Sequence, residues 1–129
     1  MSPLRRKPKP PRPAEAPWVI AWWPGTLNRP IGGPGSWTLQ DRADFDAGAD
    51  SRDPKRWLPG RLAGRDARPE LLAEWAQDVL GQRVGLETMW QNWTDDDGKH
   101  VEPVYFVYPA ATAPLGSVFP PERDLRSLL

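Results

Sequence analysis

Few residues in this chain are equipped for chemistry. His100 is the only histidine, and it closes the run Thr94-Asp95-Asp96-Asp97-Gly98-Lys99-His100. Such a group could grip a cation or supply a general base. A base, however, has to be held and partly desolvated, whereas aspartates beside a glycine have the composition of a solvated turn whose carboxylates bond their own backbone. A second acidic run, Asp44, Asp46, Asp50 and Asp53 around Gly48, is oxygen-rich enough to bring calcium to mind. An EF-type loop would need a carboxylate or amide where Gly48 stands, a glycine at Ala49 and a bidentate acid at Lys55. All three are missing, and Arg42, Arg52, Lys55 and Arg56 are at hand to neutralise the aspartates.

Other chemistries fare no better. Ser2, Ser36, Ser51, Ser117 and Ser127 lack the context of a nucleophile elbow. The absence of cysteine removes thiol nucleophiles, disulfides and thiolate metal sites. Gly32-Gly33-Pro34-Gly35 lacks both the Gly-Lys-Ser/Thr ending of a phosphate-binding loop and dinucleotide-fingerprint spacing. The sequence therefore predicts a protein that is not an enzyme and carries no metal or cofactor.

The residues suited to binding are more numerous. Arg5, Arg6, Lys7, Lys9 and Arg12 put five cations and no acid into the first 13 residues, leaving twelve basic against seventeen acidic groups in the remainder. This reads as a basic arm on a mildly acidic body. Prolines 3, 8, 10, 11, 13 and 17 keep that arm extended, so it could be a solvated tail, a tether across a neighbouring subunit or a segment touching nucleic acid. Arg5-x-x-Pro8-x-x-Pro11 also matches a short proline-rich ligand pattern. Eight tryptophans exceed what a small core requires, and tryptophan is enriched at binding hot spots. Trp22, Trp23 and Trp57 are the candidate apolar contacts, together with Leu128 and Leu129, which need a surface on which to dock. Glu70, Glu74 and Asp78 form an acidic stripe at helical spacing.

The elements that must position these groups follow from periodicity. Leu71, Leu72, Trp75, Val79 and Leu80 share one face of a predicted helix over 67–80, with Pro69 in its first turn and Gly81 as its stop. After Gly81 the period changes to two. Val84, Leu86, Thr88 and Trp90 face one way, and Val104, Phe106 and Tyr108 oppose Tyr105 and Val107 in a second arm, predicting a hairpin over 84–108. Pro103 has no N–H to give, so the second arm is expected at a sheet edge or to begin at Val104. Trp18–Trp23 and 36–40 read as strands, and Asp41 to Arg56 as a charged loop. Trp57-Leu58-Pro59-Gly60-Arg61-Leu62 and Trp22-Trp23-Pro24-Gly25-Thr26-Leu27 share the pattern W-x-P-G-x-L, which is taken as one turn used twice. Residues 120–129 resemble a short terminal helix.

A chain of 129 residues is one domain's worth. The expected fold class is α+β, mostly β with one main helix: an extended arm over 1–17, a compact tryptophan-rich body over 18–119 and a docking helix over 120–129. No run approaches 18 apolar residues and no apolar signal region begins the chain, so the expectation is a cytoplasmic or, if virus-encoded, virion protein without membrane association. The favoured function is a non-enzymatic assembly protein, an accessory component of a larger particle such as a virus or phage virion, whose partners are other subunits. The alternatives are a nucleic-acid-associated accessory protein using the arm and a small ligand- or sugar-binding module.

Overall fold

The structure, a computed structural model, describes residues 16–23, 35–49, 51, 53–96 and 98–121. These form a five-stranded antiparallel sheet with one main helix against it, a small mostly-β α+β domain. The strands are β1 (Trp18–Trp23), β2 (Ser36–Asp41), β3 (Trp57–Pro59), β4 (Val84–Asp95) and β5 (Gly98–Pro109), in the spatial order β3-β2-β1-β5-β4. The arm cations Arg5, Arg6, Lys7, Lys9 and Arg12 and the terminal Leu128 and Leu129 lie outside the described residues.

The main helix, α2 (Pro69–Leu80), starts two residues later than periodicity suggests. Pro69 accounts for this, because the residue before a proline is pushed out of the helical region; Arg68 sits at φ −68° and ψ 140°. Ala67 instead donates to Gly64 O, closing a turn ahead of the helix. Gly81 ends the helix at φ 70°, with its N–H on Gln77 O, a left-handed stop that costs glycine nothing.

Alternation along the strands gives the sheet two apolar faces, and each is covered by a different element. Toward α2 point Ile20, Trp37, Leu39, Val84, Leu86, Tyr105 and Val107, which pack with Leu72, Ala73 and Ala76. Toward the other side point Val19, Val104, Phe106 and Tyr108, packed with Ala16, Phe45 and Ala113. This explains why neither the 18–23 segment nor the 104–108 segment shows a polar face: both strands lie inside a sheet that is covered on both sides.

Three expectations need correction. The charged segment 41–56 is not a continuous loop: it holds a short helix, α1 (Arg42–Asp46), and a 3₁₀ turn, Pro54–Arg56. Arg42 and Asp46 pair at i,i+4, and Phe45 turns down onto the sheet. Trp57-Leu58-Pro59 is a short edge strand paired with β2 rather than only a turn, an acceptable place for Pro59 because it flanks a ladder that ends there. Finally, β5 is not an edge and does not begin at Val104: it pairs with β4 along its whole length, and with β1 over Val104–Val107. Pro103 is tolerated because β1 pairs with β5 only as far as Ala21↔Val104, leaving one side of β5 without a strand at that position among the described residues.

Candidate interaction surface

The different lengths of the strands create the surface. β1 has six residues while β4 and β5 have twelve each, so β4 and β5 continue beyond the body as a two-stranded ribbon. Apolar positions that a neighbouring strand or helix would otherwise cover are left outside: Trp90 is 61% exposed and Val101 50% on one face, and Met89 is exposed on the other. A two-stranded ribbon in water is marginal by itself, and this one is braced at its base. Arg65 donates from Nε to Glu102 Oε1 at 2.9 Å and from Nη2 to the carbonyl of Val101 at 2.9 Å. The loop that carries Arg65 is tied to the core by Trp37, whose Nε1–H donates to Gly64 O at 2.9 Å.

Trp37 is the centre of this bracing. Fully buried, it meets Trp22 edge-on at 5.3 Å between ring centroids and Tyr105 at 5.7 Å. Burial raises the Tyr105 pKa above its ordinary value, and the negative charges of Asp66 and then Glu70 add to the effect. On the opposite face the Tyr108 hydroxyl donates to Glu87 Oε1 at 2.8 Å, and the Arg42 guanidinium lies 4.9 Å above the Phe106 ring.

The residues singled out from the sequence are distributed rather than gathered. Trp22 is half-buried against Trp37. Trp23 and Trp57 fall on the other face, as the pairings Trp23↔Ser36 and Thr38↔Trp57 require when Trp22↔Trp37 lies on the helix side. Trp57 is buried, and its indole N–H donates to Ser51 O. Indoles 22, 23, 37 and 57 therefore do not line a common cleft. Trp90, Met89 and Val101 are the exposed apolar residues of the ribbon, and Leu62, Leu71, Leu115 and Phe119 are exposed elsewhere; the signal for the ribbon residues is the excess length of the two long arms over every other strand. The acidic segment is paired in part: Arg56 pairs with Asp41 at 3.0 Å and Arg42 with Asp46 at 3.1 Å, while Asp53 Oδ1 accepts from the backbone N–H of Lys55. Among the described residues no three His, Cys, Asp or Glu side chains converge as metal ligands, and no helix is long and apolar enough to cross a membrane.

The fold and surface define a class no narrower than a small antiparallel-sheet α+β domain with an overhanging ribbon. Compared with protein-family models, with curated proteins and with solved structures, the chain matches none of them.

Proposed function

We propose that this chain is a non-enzymatic assembly protein, an accessory component of a larger particle such as a virion, that works by contacting neighbouring chains. The observation that carries the reading is the braced ribbon, which holds Trp90, Met89 and Val101 out in solvent. A large indole held on a rigid support is the residue type most often found at the centre of protein interfaces. The basic arm, with its five cations, is a second contact element in this reading and reaches a neighbour of opposite charge.

Amine cross-linking with mass spectrometry on material from the native source tests this, because the four lysines report on separate regions: Lys7 and Lys9 in the arm, Lys55 in the acidic segment and Lys99 in β5 near the ribbon end. Reproducible links from Lys7, Lys9 or Lys99 to another protein are expected. Their absence from a chain that migrates alone contradicts the reading. Arm-lysine links to other proteins that disappear after nuclease treatment would favour the nucleic-acid reading.

A further inference from the structure

Among the described residues no strand covers the outer edge of β4 beyond Leu86, and the backbone geometry of that edge specifies what can occupy it. Leu86 exchanges both of its backbone hydrogen bonds with Val118, each at 2.8 Å, so its N–H and C=O face away from β5. In an antiparallel ladder this orientation recurs at every second residue. Thr88, Trp90, Asn92 and Thr94 therefore direct their backbone groups outward as well. Among the described residues β4 is the last strand on this side of the sheet, with Val118 its sole outer partner. Natural edges of this kind are usually blunted by lysine, proline or an inward charge. From Thr88 to Thr94 the sequence is Thr-Met-Trp-Gln-Asn-Trp-Thr, without a charge or a proline.

We infer that this edge pairs with the same edge of a second copy, antiparallel about a two-fold axis, joining two five-stranded sheets into one of ten strands. Three observations select this occupant. Past Val118, residues 119–121 run antiparallel to β4 toward Arg83, away from the open positions. The N-terminal segment carries prolines at 3, 8, 10, 11 and 13, which have no N–H to give to an edge. An uncharged segment can face itself without opposing like charges, the condition a two-fold interface imposes.

The register is also determined. Outward residues must oppose outward residues, Val118 closes the edge at Leu86, and β4 ends at Asp95. The register that uses all four outward positions sets Thr88 against Thr94 and Trp90 against Asn92, with about eight backbone hydrogen bonds across the junction. Position 91 then lies on the two-fold axis as a non-hydrogen-bonded pair, its two Cα atoms about 4.5 Å apart, within the span of a disulfide.

This extends the assembly reading by naming one partner, yet it is tested on the purified full-length chain, so its failure leaves links to other proteins in native material untouched. The chain has no cysteine, so a single one reports unambiguously. Sedimentation equilibrium of the wild type is expected to give twice 14.5 kDa. Under mild oxidation Gln91→Cys is expected to become a covalent dimer, while Thr88→Cys, whose two copies would lie roughly 20 Å apart in this register, stays uncross-linked. Asn92→Pro removes an outward N–H that β5 does not use and should weaken self-association about tenfold or more. A monomeric wild type with no cross-link at position 91 overturns the inference and leaves the edge to a strand of another protein. A dimer that forms without cross-linking at 91, or that links as readily at 88, overturns it as well.

Discussion

Replacing Trp37 by Phe tests the claim that one buried indole ties the sheet, the 60–68 loop and the base of the ribbon together. Two losses add up. The indole N–H bond to Gly64 O, 2.9 Å long in the wild type, disappears, which costs about 1 kcal/mol. The smaller ring leaves a void of roughly 40 Å3 among Trp22, Tyr105 and Leu58, worth about 1 kcal/mol at ~24 cal/mol per Å3. The expected destabilisation is about 2 kcal/mol, a large share of the roughly 5–15 kcal/mol that holds a small domain folded. Urea titration followed by the fluorescence of the remaining tryptophans measures it: the midpoint should fall by about 1 M with the slope unchanged. Trp90→Ala, at a position 61% exposed, serves as the control and should stay within about 0.5 kcal/mol of the wild type. Equal costs for the two, or a Trp37→Phe midpoint indistinguishable from wild type, would refute the argument that Trp37 is the tie and Trp90 the free surface.

Three further outcomes follow from the packing. Gly85→Ala places a methyl 2.8 Å from Ala113 Cβ and 2.9 Å from the Phe119 ring; overpacking of this kind should lower the melting temperature by the equivalent of about 1–3 kcal/mol. Thr38 Oγ1 is buried with no hydrogen-bond partner among the described residues, so the isosteric Thr38→Val should stabilise by about 1 kcal/mol in the same titration. Because the Tyr105 pKa is raised in the folded state, the unfolded chain loses this proton first as pH rises through about 10, and stability must fall from there upward. The melting temperatures of wild type and Tyr105→Phe should keep a constant difference below about pH 9.5 and shift in favour of Phe above pH 10; parallel curves throughout would show that the hydroxyl titrates as in the unfolded chain.

How much of this was legible in the sequence depended on length and periodicity. The main helix announced itself through Leu72, Trp75 and Val79 with Pro69 and Gly81 as its bounds; its first two residues were misplaced, by the restriction that Pro69 puts on Arg68, and Leu71, expected on the core face, is exposed while Ala73 and Ala76 are buried. β1 was legible as a short apolar run and β2 as a short segment alternating Trp37 and Leu39 with polar residues. The short helix at Arg42–Asp46 was not, because its single large apolar side chain, Phe45, makes no period. Nor was β3, because three residues ending in Pro-Gly have the local chemistry of a turn and become a strand only through pairing with β2.

The surface was harder to read for a related reason. Whether a tryptophan is core or surface depends on which strand lies beside it, and strand order is a tertiary fact. Trp57, between the charged Arg56 and the turn-forming Leu58-Pro59-Gly60, is buried because it pairs beside Thr38 and reaches Ser51. Trp90 occupies a regular apolar position and is nonetheless exposed, because β5 inserts between β1 and β4 and β1 stops short of it. An apolar pattern identifies a face; the length of the neighbouring strand decides whether that face is covered.

The central claim is that this chain acts through contacts its surface makes with other chains, and amide hydrogen exchange compares the two situations directly. Exchange is measured on the purified chain diluted until monomeric and on the chain as isolated in its native complex. Amides of Thr88, Trp90, Asn92 and Thr94, which face outward from the sheet, are expected to become protected in the complex while α2 is unchanged. Native material in which these four amides exchange as fast as in the isolated monomer would contradict it.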